Sequence, residues 1–415
     1  MSKSYEIGKH YHRLVPCPSY EITKIETWLS DLVNEGLVLT NDGIFAGVAT
    51  LEYKGPQKVK YRLEAARNNT GMWSDNGGDP DPEQIEISKK YAWEYVAKLR
   101  DFYIYRNSDP EARELNTDPE VQAIALNAVK KRARSSLFSS LFWLLVYPIV
   151  LTRGCILLTT AAMGTVWMIL ALILGMLLVV GNIRAFVHLK RMQQSLHREG
   201  YYHSDSDWKK EKGQYFARKI TVTVLGFFLA CTFLRIWGGQ ITDKNKTPLR
   251  EYQGTIPFAT MKDFAGDGYS DYILTMSGMS NRINTVEERT DWIAPHYFSY
   301  NEHAEIKRAD GKMIDGGLYV EYWELRNSTL ARLCVKEVYR FDRFKLFQMR
   351  SKNAPLETPE LDADFAVAYR NEIHFPTIVI QKGSVVVRAF FYQTSSNYEM
   401  PLDEWAKIIC DSIGE

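Results

Sequence analysis

Acidic residues and histidines in the last third of the chain are the first candidates for chemistry, because carboxylates and imidazoles serve as metal ligands and acid–base groups. Three aspartates, Asp263, Asp267 and Asp271, recur every four residues around two glycines. They lack the alternate-residue spacing and the closing glutamate of a calcium-binding loop. We therefore expect a solvated loop here.

A second candidate group consists of His296 and His303, with Glu302 and Glu305 close in sequence. Their spacing matches neither HExxH nor another zinc pattern. The sequence therefore predicts no catalytic residue, no cofactor site and no metal site. A membrane-bound enzyme is the third hypothesis, after the two functions given at the end of this section. A cleft that groups His296 or His303 with acidic residues would support it.

The remaining motifs also argue against a conventional active site. The sequence contains no GxSxG, Walker loop or GxGxxG, and the glycine-rich stretch 71–81 has the wrong spacing to cradle phosphate. His10 and His12 share one face if their segment is a strand, and an exposed edge explains them equally well. Five cysteines are scattered without a CxxC motif: Cys17, Cys155, Cys231, Cys334 and Cys410. Cys334 and Cys410 could pair, but two buried thiols are the preferred interpretation.

Two long uncharged stretches in the middle of the chain predict membrane-spanning helices. Residues 137–152 and 154–183 contain no charged side chain, and only Arg153 separates them. At about 1.5 Å per residue the second stretch reaches roughly 45 Å, more than the roughly 30 Å of a hydrocarbon core. We predict a helical hairpin over 136–183 with a tight turn near Arg153, whose second helix tilts or begins outside the bilayer. A core helix of a soluble protein would need a polar face.

A third, shorter apolar stretch covers residues 220–234. Arg235 can extend its side chain towards the head groups, and Trp237 suits the membrane interface, so we predict a span over 220–237. The segment 117–135 predicts a helix that continues into the first span, because Pro119 suits a first helical position and no helix breaker follows it.

The distribution of basic residues predicts the orientation of these helices, since Lys and Arg accumulate on the cytoplasmic side. The segment before the first span and the loop 184–219 are both rich in Lys and Arg. With three spans, the N-terminus is cytoplasmic, 238–251 is a linker and 252–415 is extracytoplasmic; with two spans, the C-terminal domain would be cytoplasmic.

The basic loop suits anionic lipid head groups or nucleic acid, but its position beside helix ends explains its charge. Because 51 basic residues face 50 acidic ones, the net charge of +1 gives no global argument for nucleic-acid binding.

The fold class predicted for the whole chain is an α+β membrane protein. Residues 8–116 predict the order βαββαβ, the ferredoxin-like arrangement of one four-stranded antiparallel sheet covered by two helices. In this prediction 44–53 and 58–63 form a hairpin that turns at 54–57, and one helix continues from Ile85 to Leu99. Residues 252–415 predict a second α+β domain, with a hairpin of 377–380 and 385–391 and a final helix near Trp405.

Several short motifs of the N-terminal domain resemble a known family: YHRLVPCP at 11–18, WL at 28–29, KYRL at 60–63, WEYV at 93–96 and TDP at 117–119. They are similar to the domain of unknown function 2812 family over roughly residues 8–130. The resemblance implies a bacterial protein whose gene often lies beside that of a PadR-type transcriptional regulator, and therefore a role in membrane-linked regulation. The family carries no established catalytic residues.

The sequence favours a non-enzymatic regulator or sensor in the cell membrane. In this hypothesis the extracytoplasmic domain changes the state of the cytoplasmic domain, which binds a protein partner and no nucleic acid directly. The alternative is an accessory subunit of a membrane transport or export complex. A carrier of its own usually needs polar groups within its helices, and here Thr159, Thr160 and Asn182 are the main ones.

Overall fold

The structure is a computed structural model of the chain and describes residues 5–66, 80–109, 113, 115, 118–152, 154–199, 206–242, 246–266, 272–273, 284–343, 354–371, 375–393 and 399–413. The chain forms two compact units. Unit 1 comprises Met1–Leu144 and Leu174–Gly226, and unit 2 comprises Leu145–Ile173 and Phe227–Glu415. Three long helices, described below, contribute residues to both.

Unit 1 contains two successive βαββ segments. The first consists of β1 (His10–Leu14), α1 (Ile22–Asn34), β2 (Leu37–Phe45) and β3 (Val48–Tyr53); the second consists of β4 (Lys60–Ala65), α2 (Pro82–Lys90), β5 (Glu94–Leu99) and β6 (Phe102–Asn107). Each segment forms a three-stranded antiparallel sheet whose last strand is central, in the orders β1-β3-β2 and β4-β6-β5. The same topology therefore occurs twice.

The predicted βαββαβ order with one four-stranded sheet is wrong in two places. The hairpin turns at Ala46 and Gly47, both with positive φ, so residues 44–53 contain a turn instead of one strand. The predicted helix through Leu99 ends at Lys90, because Ala92 adopts a left-handed φ of 62°. Tyr95 and Val96 follow it in a strand, a conformation that aromatic and β-branched side chains favour.

One core joins both sheets of unit 1 to the helices that lead towards the membrane. It contains Ile25 and Leu29 of α1, Leu39 of β2 and Ile104 of β6, all with 1% or less of their surface exposed. Apolar residues of two further helices, described next, belong to the same cluster: Ala123, Leu126, Val129, Leu189 and Leu196. These helices are thus part of the folded N-terminal domain.

The described residues in the middle of the chain form five helices: α3 (Pro119–Leu145), α4 (Tyr147–Leu151), α5 (Ile156–Met163), α6 (Thr165–Glu199) and α7 (Trp208–Thr242). Three helical segments, Pro119–Val150, Thr165–Glu199 and Trp208–Leu234, are long and apolar enough to cross a membrane. The turn expected near Arg153 is present at its described neighbours, where the N–H of Cys155 donates to the carbonyl of Thr152 at 2.8 Å. It leads into the short helix α5, however, so the second span begins at Thr165 instead of directly after the turn. The uncharged stretch that is too long for one crossing is therefore divided at Gly164, which has a φ of 96°.

Two other middle segments differ from their predicted form. The stretch 184–219, predicted to be a basic loop, is helical up to Glu199 and again from Trp208. Leu189, Met192 and Leu196 recur at helical spacing and pack on the core of unit 1, so this stretch forms structure instead of a solvated loop. The predicted linker 238–251 begins as helix, since α7 extends to Thr242.

Unit 2 is built on a nine-stranded antiparallel sheet, in which three strands have only two residues. Its strands are β7 (Thr247–Pro248), β8 (Tyr272–Ile273), β9 (Thr285–Arg289), β10 (His296–Lys307), β11 (Met313–Glu324), β12 (Ala354–Pro355), β13 (Phe365–Arg370), β14 (Pro376–Lys382) and β15 (Val385–Gln393). The order is β12-β13-β14-β15-β11-β10-β9-β7, and β8 pairs with β10. The predicted α+β class and the β14–β15 hairpin are confirmed.

Helices cover both faces of this sheet. Adjacent residues of β15, Val386 and Val387, are fully buried in different clusters, as the alternation of a strand requires. Val387 lies in the cluster of α9 (Leu402–Ser412), which contains Trp405, and Val386 lies in the cluster of α8 (Ser328–Arg343). The short helix α5 contributes Ala161 to this second cluster.

Candidate functional site

The three spaced aspartates do not form a described site. Asp263 accepts hydrogen bonds from the backbone N–H and the hydroxyl of Thr260, at 2.7 and 2.9 Å, and so closes the N-terminus of a short 3-10 helix. Asp267 and Asp271 lie outside the described residues. Asp263 therefore has a local structural role.

The two histidines of β10 are far apart and point away from each other. Their separation of seven residues puts them on opposite faces of the strand, about 23 Å apart. His303 Nε2 lies 3.5 Å from Asp315 Oδ1, and its ring stacks on Tyr392 with a centroid distance of 5.9 Å. Glu302 faces the core and accepts a hydrogen bond from the N–H of Met261. Within the described ranges, no group of three or more His, Cys, Asp or Glu side chains is placed to hold a metal.

Unit 2 also contains an open cleft of about 1130 Å³ beside α9. Its lining includes the carboxylates of Glu357, Glu360, Glu399 and Asp403 and the guanidinium of Arg370. His296 and His303 are not among the described residues that line it. Among the described residues, the cleft therefore does not group His296 or His303 with these carboxylates.

All five cysteines are free thiols. Burial, with a contribution from the charge of Glu21, raises the pKa of Cys17 to about 12, and burial raises the pKa of Cys334 and Cys410. Cys334 and Cys410 belong to different hydrophobic clusters, so the interpretation as two buried thiols is confirmed. A thiol that stays protonated is a poor nucleophile.

Charged side chains also make contacts where each domain meets the helices. In unit 2 we call this place the C-terminal junction, formed by residues 154–165 with Arg289, Asp291, Glu337 and Arg340. Glu337 of α8 accepts a hydrogen bond from the N–H of Leu158 at 2.9 Å, in the first turn of α5. The first N–H groups of a helix have no partner within it, so a carboxylate placed there stabilises the helix start.

A second carboxylate of the C-terminal junction closes the start of α6. Asp291 accepts a hydrogen bond from the N–H of Thr165 at 2.9 Å and another from the hydroxyl of the same residue. Arg289 donates to the carbonyl of Ala162 at 2.9 Å, and Arg340 donates to that of Gly154 at 3.2 Å. The carboxylates thus accept hydrogen bonds from backbone N–H groups at helix starts, and the guanidiniums donate to backbone carbonyls. Together these contacts attach residues 154–165 to the C-terminal domain.

In unit 1 the N-terminal junction is formed by Glu21 and Lys24 near the start of α1, His188 of α6 and Glu211 of α7. Lys24 is only 5% exposed, and its ammonium lies 2.9 Å from Glu211 and 3.5 Å from Glu21. Burial lowers the pKa of Lys24, but the hydrogen bonds and charges of Glu211 and Glu21 outweigh it, so the pKa is raised. His188 Nδ1 lies 3.5 Å from the other oxygen of Glu21.

Further hydrogen bonds link the same helices in unit 1. Trp208 donates its indole N–H to Asp31 of α1 at 3.0 Å. Gln193 of α6 is 7% exposed and donates to the carbonyl of Ala123 and the amide oxygen of Asn127, both in α3, at 3.0 and 2.7 Å. Helices α3, α6 and α7 are therefore connected to the N-terminal domain by polar contacts as well as by its apolar core.

Sequence reasoning did not single out the residues of either junction. Apart from the local pair of Lys24 with Glu21, the contacts within the two junctions join positions more than a hundred residues apart, such as Lys24 with Glu211 or Asp291 with Thr165. A single sequence does not reveal such pairs. One signal was available: the helical spacing of Leu189, Met192 and Leu196 predicts that α6 continues beyond the uncharged stretch 154–183.

The carboxylates of the C-terminal junction should give opposite pH dependences. Burial raises the pKa of Asp291, but its hydrogen bonds with Thr165 outweigh burial and lower it; burial raises the pKa of Glu337, and the N–H of Leu158 offsets this only in part. The contribution of Asp291 to stability is therefore present above its unfolded pKa of about 3.9 and lost as the pH falls through its lower folded pKa. The contribution of Glu337 to stability is present below its unfolded pKa of about 4.3. It is lost as the pH rises through the higher pKa of the folded state.

Thermal unfolding between pH 3 and pH 7, roughly spanning both carboxyl titrations, checks these signs. Asp291→Asn should be less stable than the natural protein at neutral pH, and the difference should shrink in acid. The thermal stability of Glu337→Gln should increase relative to that of the natural protein as the pH rises. Parallel curves for all three proteins would contradict the assignment.

The fold and the junctions define the class of protein: a chain with three helices able to span a membrane and folded α+β structure on either side of them in sequence. Residues 21–138 match the family described as protein of unknown function (DUF2812), which covers the N-terminal part of the 415-residue chain and confirms the resemblance there. Searches of curated proteins and of solved structures found no match.

Proposed function

We propose that this chain is a non-enzymatic membrane protein in which the C-terminal domain changes the state of the N-terminal domain through α6 and α7. The observation that carries the proposal is the attachment of α6 at both ends. Asp291 caps its first residue in unit 2, and His188 and Gln193 bind its last turns to the N-terminal domain in unit 1. A helix that is fixed to both domains transmits a shift of either end.

Contacts within each unit support three membrane crossings. Residues 154–165, between the first and second spans, contact the C-terminal domain, so both belong on one side of the membrane. Residues 184–219, between the second and third spans, contact the N-terminal domain, so these share a side too. An odd number of spans satisfies both requirements and separates the two domains. Basic residues around 184–219 favour the cytoplasm for the N-terminal domain.

The proposal includes a protein partner on the cytoplasmic side. The N-terminal domain would bind this partner, and the resemblance to the matched family makes a PadR-type regulator the first one to test. The bilayer itself is the other partner, through the exposed apolar residues of the spans, among them Val166, Ile169 and Phe227. The signal would reach the chain through the C-terminal domain.

Hydrogen exchange of the full chain in lipid nanodiscs tests the coupling. The variant Asp291→Asn removes the carboxylate charge that caps α6 at the C-terminal junction and should weaken the hold on the start of α6 at neutral pH. If α6 transmits the change, the amides of α1 at the N-terminal junction should also exchange several-fold faster.

A matched control is Asp364→Asn in the same domain. Asp364 accepts a hydrogen bond from the N–H of Gly383 at 2.7 Å, in the β14–β15 turn, so the substitution has the same chemistry away from the helices. It should leave α1 unchanged. Faster exchange at the start of α6 in Asp291→Asn with no change in α1 would show two independent domains and reject the coupling role.

A further inference from the structure

The tip of the β2–β3 hairpin exposes large apolar side chains. Phe45 is 86% exposed and Leu14 of β1 is 53% exposed. Val48 of β3 pairs with both of them, with Leu14 on one side and Phe45 on the other. Residues that pair directly across a sheet point to the same face, so these three form one apolar row across all three strands.

This row lies on the outer face of the first sheet. In β3, Ala49 and Leu51 are fully buried in the core, so Val48, Thr50 and Glu52 point the other way. Along that outer face, the next two cross-strand pairs are polar: His12 with Thr50, then His10 with Glu52. The outer face is thus polar at one end and apolar at the hairpin tip.

The backbone holds the tip in a fixed shape. Ala46 and Gly47 have φ values of 50° and 81°, the positive pair of a two-residue type I′ turn, which matches the twist of the strands it joins. The carbonyl of Gly47 accepts a hydrogen bond from the N–H of Val15 at 2.9 Å, so the turn is also tied to the end of β1. Phe45 is therefore presented by a rigid element.

A contact in unit 1 relates this tip to the beginning of the third span. A Cβ atom on Gly47 would lie 2.9 Å from the ammonium of Lys219. Lys219 is the last charged residue before the uncharged stretch 220–234. A lysine directly before an apolar span lies at the level of the lipid head groups, so the hairpin tip lies at that level too.

We infer that the β2–β3 hairpin is a membrane-contacting element, whose tip places Phe45 and Leu14 in the interfacial region of the same bilayer that the chain spans. Aromatic and aliphatic side chains are favoured there because their apolar surface leaves water. The ammonium of Lys219 beside the tip complements the phosphates of the head groups. This attachment does not depend on the proposed coupling role, since it concerns only how the N-terminal domain meets the lipid.

Depth measurements on the full chain in nanodiscs of phosphatidylcholine and phosphatidylglycerol test this inference. Cys231 is the exposed native cysteine among four buried ones, so Cys231→Ser leaves a background for labels at single introduced cysteines. An environment-sensitive fluorophore is placed at Phe45→Cys and Leu14→Cys. Lipids with a nitroxide near the head group should quench both labels several-fold more than a label at Ile7→Cys.

Ile7 is the matched control, because it is 84% exposed and lies beside the opposite end of β3, where Gly8 donates to the carbonyl of Tyr53. His12→Cys and His10→Cys report intermediate positions on the outer face, and quenching should fall in the order 14, 12, 10. A label on native Cys231 should be quenched by nitroxides deep in the chains and so verify insertion. Equal quenching at 45, 14 and 7 in inserted protein would overturn the inference.

Discussion

Lys24→Met is expected to lower the free energy of unfolding of the N-terminal domain by about 3 kcal/mol, because removing one partner of a buried ion pair leaves the other charge uncompensated. The side chain of Glu21 is only 14% exposed, so water replaces the lost ammonium poorly. The side chain of Glu211 is 60% exposed, so water solvates its unpaired charge better than that of Glu21. The midpoint of thermal unfolding should fall by roughly 6 to 12 °C.

Two further variants separate charge burial from a general effect of the substitution. Lys54→Met removes the partner of Glu52 from an ion pair of 3.0 Å, in which the side chains of Lys54 and Glu52 are 43% and 29% exposed. This substitution should lower the free energy of unfolding by less than about 1 kcal/mol. Adding Glu21→Gln to Lys24→Met should restore part of the lost stability, because the stranded charge is gone. Equal losses for Lys24→Met and Lys54→Met would mean that the N-terminal junction is not an electrostatic contact.

The membrane part of the fold could be predicted from the sequence because it depends on composition. Uncharged stretches long enough for a bilayer identify their own helices, and three such helices are present. Their ends could not be predicted in the same way. Residues 156–163 are as apolar as a span, yet Ala161 of α5 is buried with Trp323 and Val335 of the C-terminal domain. Apolar composition does not distinguish contact with lipid from contact with protein.

The N-terminal topology was harder to predict because strands and short helices resemble one another in a single sequence. Tyr95, Val96 and Leu99 fit one face of a helix when counted from Ile85, but the left-handed Ala92 ends that helix and a strand follows. The turn at Ala46 and Gly47 lacks the Asn-Gly or Asp-Gly pair that signals a hairpin most strongly. The turn at Ala46 and Gly47 and the helix end at Ala92 are thus the two local features that separate the observed pair of sheets from the predicted single sheet.

The residues of both junctions escape sequence reasoning for a different reason. Asp291 and Glu337 have ordinary neighbours in sequence, and only the fold brings them to the starts of α6 and α5. The contacts that the structure does show lie where each domain meets the helices.

Trp323→Ala is expected to lower the free energy of unfolding of the C-terminal domain by about 3 to 5 kcal/mol, through lost burial and the cavity left behind. Trp323 is 3% exposed, shares its cluster with Ala161 of α5 and lies 5.7 Å from the ring of Tyr297. Trp292→Ala is the matched control, since Trp292 is 61% exposed and contacts Arg326 by a cation–π interaction worth about 1 kcal/mol or less.

The reaction of Cys155 with a maleimide reports the state of the C-terminal junction directly. Cys155 is fully buried, and its thiol donates a hydrogen bond to the carbonyl of Glu337 at 3.3 Å. With Cys231 replaced by serine, labelling of Cys155 below the unfolding temperature should be several-fold faster in Trp323→Ala than in Trp292→Ala. Equal rates would mean that the cavity does not loosen α5, and the apolar cluster would then stabilise the sheet without holding the membrane helices. Faster labelling would show that the domain core and the start of α5 respond together.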